Sequence, residues 1–221
     1  MQNRLDKAIL DRLRSLPTSA VSDAMDKLGL HGAVDGLRPI LAGQRIAGQI
    51  VTLAYLPTGT AGGTVGDFMH LVEAGDVIAI DNRGRTDCTV WGNILTEVAK
   101  MRGLSGTIID GVNRDIGESV EIGYPIWSRT CFMRTGKDRV MLQSVNGPIC
   151  LGTVRVEPGD VAVADDSGVV VVPLGKVMAV LETAEAIEHA EGEIVSAVRA
   201  GVELSEARAN QGYHSLQTRT A

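Results

Sequence analysis

The 221-residue chain has few aromatic side chains: two Trp, three Tyr and two Phe make up 3% of it. A surface that stacks nucleic-acid bases needs several such rings, so that class starts out disfavoured. Basic residues are not in excess either, with 21 Lys and Arg against 27 Asp and Glu and a formal net charge of -6. A nucleic-acid partner is therefore not expected, because phosphate binding shows as a basic patch or stripe. The three cysteines, Cys88, Cys131 and Cys150, are odd in number and widely spaced. They support neither a disulfide framework nor a zinc cluster. No apolar run is long enough to cross a bilayer, and Met1 to Leu16 mixes charged and apolar residues without a leader pattern. The expectation is a cytoplasmic protein with no membrane partner. The rest of the composition, 44% hydrophobic and 22% charged, is that of one ordinary globular domain over 1–221.

Along the chain, helix and strand signals are mixed. Thr18 or Ser19 is placed to cap a helix over Ala20 to Leu28, with Gly29 ending it. Short β-branched runs follow at Arg45 to Leu53 and Asp76 to Asp81. The loop between them, Pro57 to Thr64, is rich in Gly and Thr but lacks the Lys and the spacing of a phosphate-binding loop. It reads as a flexible connection at the mouth of a cleft. Side chains reaching the far end of a substrate are expected from Gly59 to Gly63 and from Asn82 to Asp87.

From Gly75 to Asp115 the pattern is β-α-β. A strand at Val77 to Asp81 leads to a helical apolar period over Ile94 to Arg102, which Gly103 stops before a new strand at Thr107. That second strand, Ile108-Ile109-Asp110-Gly111-Val112-Asn113, ends in Arg114-Asp115. An Arg beside an Asp at a strand end is, by itself, most often a surface turn. The segment ahead of it changes that reading. Gly92-Asn93-Ile94-Leu95 opens the helix, where free backbone amides and the helix dipole favour an anion. A guanidinium grips a carboxylate in a bidentate manner, and a neighbouring carboxylate is a hard ligand for a divalent cation. The unit thus points to an acidic small molecule held next to a metal.

The second half adds strands around Pro148 to Val156 and Val161 to Ala164, then a hairpin through Asp165-Asp166-Ser167-Gly168 into Val169 to Pro173. Adjacent acids before Ser-Gly are turn formers, and Asp165 and Asp166 are read as such rather than as ligands. Gly75-Asp76-Val77 and Gly159-Asp160-Val161 echo each other ahead of two strands. A helical arm of about 175–209 follows, apolar at Val177, Val180, Leu181, Ala184, Ile187 and Ala190 and rich in glutamate. A helix of that length can reach a neighbouring subunit.

Taken together, Gly75-Asp76-Val77, Trp91 to Leu95 and Ile109 to Asp115 resemble the RraA-like family, in its 4-hydroxy-4-methyl-2-oxoglutarate/4-carboxy-4-hydroxy-2-oxoadipate aldolase branch. The similarity extends to Ser22-Asp23-Ala24, Gly36 to Pro39, Arg45 to Gly48 and the Asp165 to Pro173 hairpin. The resemblance implies an α/β fold of layered β/β/α type, a homotrimer or homohexamer, and a site between subunits that uses Mg2+ or Mn2+. It implies Asp115 as metal ligand, Arg114 as the residue that binds the oxo-acid substrate, and the amides of Ile94 and Leu95 as a clamp on its carboxylate. The family's upstream acid falls on Asn93, which accepts a hydrogen bond but brings no charge and cannot act as a base. An acid from a neighbour's C-terminal helix falls on Glu191, with Glu193 next.

The activity implied is metal-assisted carbon-carbon cleavage of a 4-hydroxy-2-oxo diacid to pyruvate, with oxaloacetate decarboxylation as a companion reaction that needs no hydroxyl base. The alternatives are a non-catalytic binding protein, like the branch whose founding member inhibits an RNA-degrading enzyme, or another lyase, hydratase or tautomerase built on the same enolate chemistry.

Overall fold

A computed structural model describes residues 4–60, 63, 65–213 and 218. Of the loop Pro57 to Thr64, the positions Ala61, Gly62 and Thr64 lie outside the described residues.

The elements run α1 (Lys7–Ser15), α2 (Thr18–Lys27), β1 (Ala33–Val34), β2 (Arg38–Pro39), β3 (Ile46–Pro57), β4 (Val77–Asp81), α3 (Asn93–Met101) and β5 (Gly106–Asn113). They continue with α4 (Ile116–Ile122), β6 (Ile126–Cys131), β7 (Val140–Val145), β8 (Ile149–Leu151), β9 (Val154–Val156), β10 (Val161–Asp165), β11 (Gly168–Val172), α5 (Val177–Arg199) and α6 (Leu204–Asn210). Nine strands form one sheet in the order β1-β11-β10-β3-β4-β5-β6-β2, with β7 also on β3, and β8 and β9 make a separate hairpin.

The 12-residue β3 organises the fold. Its first half pairs antiparallel with β10 and its second half parallel with β4, so one strand belongs to both halves of the sheet. Ile46, Ile50, Val77, Ala79, Ile108 and Trp127 face Ala162, Ala164, Val169 and Val171 in a core between these halves. The outer face of one half is covered by α1, α2 and α5 through Leu13, Val21, Met25, Val180, Leu181 and Ala184. On the other, Ile78, Ile80 and Ile109 are covered by residues such as Trp91, Ala99 and Tyr124. Each Val, Leu or Ile so buried stabilises the fold by about 1.5–3 kcal/mol. Strand runs buried on both faces explain why β4, β5, β10 and β11 read as continuous apolar segments. The layered α/β class expected from the sequence is the one observed.

The echo between Gly75-Asp76 and Gly159-Asp160 is a repeated turn: Asp76 accepts from the Glu73 amide at 2.8 Å and Asp160 from the Glu157 amide at 2.9 Å. Gly75 and Gly159 both take positive φ, at 88° and 91°. The Asp165 to Gly168 hairpin also stands, with those two residues paired across its two-residue turn. Asp165 serves that turn by accepting from the Ser167 amide, and Asp166 accepts from the Gly43 amide.

Neither Thr18 nor Ser19 caps α2; the helix begins at Thr18 itself, after Pro17, with no side-chain cap from that residue. The acceptor comes from afar, because Asp165 takes the Thr18 amide at 2.9 Å and its hydroxyl at 2.6 Å. The C-terminal arm is two helices rather than one, since Gly201 at φ 92° breaks the path between α5 and α6. Its apolar stripe is correct: Val177, Val180, Leu181, Ala184, Ile187 and Ala190 are all buried. No helix of the described residues is long and apolar enough to cross a membrane.

Candidate active site at the start of α3

Strands β4 and β5 are parallel neighbours, and α3 connects them. The carboxyl end of β5 therefore lies beside the amino end of α3, the arrangement in which crossover units collect ligands. Thr89 fastens the two segments. Its buried hydroxyl lies 2.8 Å from the Trp91 carbonyl and 2.9 Å from the Val112 carbonyl, and it accepts from the Trp91 amide at 3.1 Å. The Arg114 amide donates to the Trp91 carbonyl at 3.1 Å. Arg114 is thus tied by its backbone to the turn that opens α3.

Asp115 precedes α4 in a left-handed conformation, φ 59° and ψ 46°, and does not cap that helix with its side chain. Its carboxylate turns instead to α3, where Oδ2 accepts from the Asn93 amide at 3.1 Å and lies 3.3 Å from Arg114 Nε. Gly92 makes this approach possible, because a Cβ there would lie 2.6 Å from Asp115 Oδ2 and 3.0 Å from Arg114 Nε. Behind this edge, Thr96 donates to the Gly92 carbonyl at 3.0 Å, accepts from Trp91 Nε1 at 2.9 Å and lies 3.3 Å from the Ser119 hydroxyl of α4. The two helix starts are held together by a small hydroxyl cluster. Thr89, Thr96 and Ser119 escaped sequence reading, since such residues look like ordinary strand formers or helix spacers.

In front lies a cavity of about 220 Å³ whose lining includes Val65, Asp67, Trp91, Gly92, Leu95 and Arg114. Of the predicted residues, Gly92, Asn93, Ile94, Leu95 and Arg114 line this space, and Asp115 adjoins it through Asn93 and Arg114. The amides are unequally available. Ile94 N–H is taken by Asn93 Oδ1 at 2.8 Å, whereas Leu95 N–H has no acceptor among the described residues. Asn93 therefore spends its amide oxygen on its own helix.

Glu191 is elsewhere in the chain. It lies on α5, the helix that packs against α2, and its carboxyl is raised above the ordinary value by burial first and then by Asp23 and Glu188. The loop Asn82 to Asp87 does not reach the cavity either: Arg85 pairs with Asp87 at 2.8 Å, and Arg83 lines a different space.

The residues present suit a water-rich divalent ion. Among the described residues no three His, Cys, Asp or Glu side chains cluster in a way that would hold a metal. Mg2+ needs no such cage, since it binds through one or two carboxylates and keeps waters and substrate oxygens in the remaining positions. Asp115 offers one carboxylate at the rim, and Asp67 offers a second on the same cavity.

A Legionella pneumophila protein named DlpA is 34% identical over 93% of this chain, and the chain spans 34% of its length, about a third. A Halalkalibacterium halodurans protein named "Putative 4-hydroxy-4-methyl-2-oxoglutarate aldolase" is 33% identical over 88% of this chain and 93% of its own. Among solved structures, an uncharacterized Pseudomonas syringae protein superposes with a TM-score of 0.87 at 37% identity, over 93% of this chain and 99% of that one. Streptomyces coelicolor RraAS2, described as an unusual member of the RNase ES inhibitor RraA protein family, superposes with a TM-score of 0.78 at 26% identity, over 89% and 98%. The sequence profile described as Aldolase/RraA matches residues 18–171, and the chain belongs to the RraA-like family.

Proposed function

We propose that this protein is a divalent-metal-dependent carbon-carbon lyase that releases pyruvate from a small 2-oxo acid. The substrates to place first are 4-hydroxy-2-oxo diacids of the kind named for its relatives, and oxaloacetate. The observation that carries the reading is the convergence of Arg114 and Asp115 on the Gly92-Asn93 edge of α3, at the mouth of a cavity.

The chain's own groups divide the work. Arg114 binds the substrate carboxylate and, as a permanent cation, faces the negative charge that develops when the carbon-carbon bond breaks. Leu95 N–H and the positive end of α3 add a second anion contact. Asp115 would hold the metal, with Asp67 as a further carboxylate. When bound, Mg2+ or Mn2+ supplies Lewis-acid polarisation of the 2-oxo group. The apolar walls formed by Val65, Trp91 and Leu95 limit water around the developing charge.

Aldol cleavage also requires removal of the hydroxyl proton at C4, and Asn93 cannot accept it. Glu191 of an adjacent copy is the proposed base, which makes a homotrimer or homohexamer part of this reading. Decarboxylation of oxaloacetate needs no such base and draws only on Arg114, the Leu95 amide and the ion that Asp115 would hold.

The test is pyruvate release by the purified protein from oxaloacetate and from 4-hydroxy-4-methyl-2-oxoglutarate, with Mg2+ or Mn2+ supplied. Release that disappears in Arg114→Ala and Asp115→Ala is expected; no release from either compound overturns the reading. The likeness to RraAS2 supports a second reading, a non-catalytic binding protein. That reading predicts no difference between wild type and Asp115→Ala in a metal titration.

A further inference from the structure

A second cavity, of about 410 Å³, opens where β4 and β5 end on the side of the β8–β9 hairpin, and it shares no lining residue with the Arg114 cavity. It is lined by Asp81, Arg83, Asp110, Arg129 and Cys150, with Gly84 and Gly152.

The carboxylates here are used internally. Asp81 accepts from the amides of Arg83 at 2.8 Å and Cys150 at 3.2 Å. Asp110, buried in β5, accepts from the Gly152 amide at 2.8 Å and from Arg129 Nε. They anchor the hairpin over the strand ends. The guanidinium groups are not used up. Arg129 gives Nε to Asp110, but its Nη1 and Nη2 have no acceptor among the described residues. Arg83 is exposed and its side chain has no acceptor there either.

Three glycines from three separate loops surround the Arg129 guanidinium. A Cβ on Gly36 would lie 2.8 Å from Nη1, one on Gly84 3.4 Å from Nε and one on Gly152 3.5 Å from Nη2. All three have positive φ, and without side chains they leave the fork uncovered. Arg83 is the unusual neighbour. It takes φ 59°, followed by Gly84 at 66°, and the Arg85 amide closes the turn on the Asn82 carbonyl at 3.1 Å. Two successive positive φ values are the pattern of a type I′ turn, whose first central position favours Asn, Asp or Gly. A long cation held in that conformation is a costly choice for a mere connection.

We infer that Arg83 and the Nη edge of Arg129 form a second oxyanion site, which takes the carboxylate or phosphate group of a small molecule. A planar fork with two open donors matches either group in a bidentate manner, and Arg83 closes on it from the turn.

The experiment is calorimetric titration of the full-length protein at constant ionic strength with inorganic phosphate and, separately, with malonate. Both titrations are run in an Arg114→Ala background, so that the other anion site does not contribute. Saturable binding of one ion per chain is expected for at least one of the two, and which one binds identifies the source of the oxyanion. Arg83→Gly should weaken it at least tenfold. Glycine relieves the positive φ, so a melting temperature equal to or above that of the parent shows that the loss is not an unfolding effect. Arg129→Lys keeps a cation beside Asp110 but removes the fork, and should weaken binding similarly. No saturable binding, or full affinity in either variant, overturns the site. The pyruvate assay is separate from this titration, so either result stands without the other.

Discussion

The carboxylate of Asp115 occupies the space that a side chain at Gly92 would need: its Oδ2 lies 2.6 Å from where a Gly92 Cβ would stand. Gly92 has φ -148° and ψ -170°, extended backbone that any residue adopts, so this glycine is present for proximity and not for conformation. Gly92→Ala should therefore leave the fold intact while pushing Asp115 and Arg114 away from α3. We expect at least a tenfold loss in kcat/KM for pyruvate release and a weaker Mn2+ affinity, with an unchanged circular dichroism spectrum. Wild-type activity in this variant would show that the contact is incidental.

Asp115→Asn tests the metal ligand with little disturbance. Asn tolerates the left-handed conformation that Asp115 adopts, so the start of α4 should be retained. The neutral amide is a much poorer partner for a divalent ion. Chelator treatment of the wild type should abolish pyruvate release, and Mg2+ or Mn2+ should restore it. Asp115→Asn should respond to neither. A metal-stimulated Asp115→Asn enzyme would move the metal site elsewhere, with Asp67 the first residue to examine.

What the sequence makes legible is the β4-α3-β5 unit, because its apolar periods change sharply and Gly103 marks the helix end. The Arg114-Asp115 placement follows from that unit. Contacts that join distant parts of the chain are not legible. Asp165 fills the start of α2 from 147 residues away, and no local pattern at Thr18 announces it. The same holds for the Arg83 and Arg129 cavity, whose parts come from separate loops and strands. Glu191 is a third kind of case: its expected role requires a neighbouring copy, and within one chain it lies against α2 beside Asp23.

Asn93→Asp restores an acid at the position where the family resemblance places one. In the present chain Asn93 Oδ1 accepts from the Ile94 amide, a contact an aspartate keeps while adding charge at the helix start. The charge also provides a proton acceptor near Arg114. We expect cleavage of 4-hydroxy-4-methyl-2-oxoglutarate to rise at least tenfold relative to oxaloacetate decarboxylation in the same preparation. An unchanged ratio would mean that the proton leaves by another route and that the Asn93 side chain serves only the Ile94 amide.

Asp165 links α2 to the β10–β11 hairpin, and its titration should appear in acid unfolding. Burial alone would raise its pKa, but the Thr18 hydroxyl, the amides of Thr18 and Ser167 and the charge of Arg45 together outweigh it and hold the carboxyl below its ordinary value. A depressed folded pKa stabilises the native state fully above the unfolded value of about 3.9, and that contribution is lost as pH falls through the lower, folded value. Thr18→Val removes the hydroxyl donor and keeps the shape. It should cost about 1.5–3 kcal/mol at neutral pH, the range for a hydrogen bond to a charged group. Because the folded pKa then moves back toward the unfolded one, the difference between variant and wild type should shrink as pH falls below about 4. Urea unfolding midpoints at pH 7, 5, 4 and 3 measure it, and two curves that stay parallel to pH 3 would remove Asp165 from the account of acid stability.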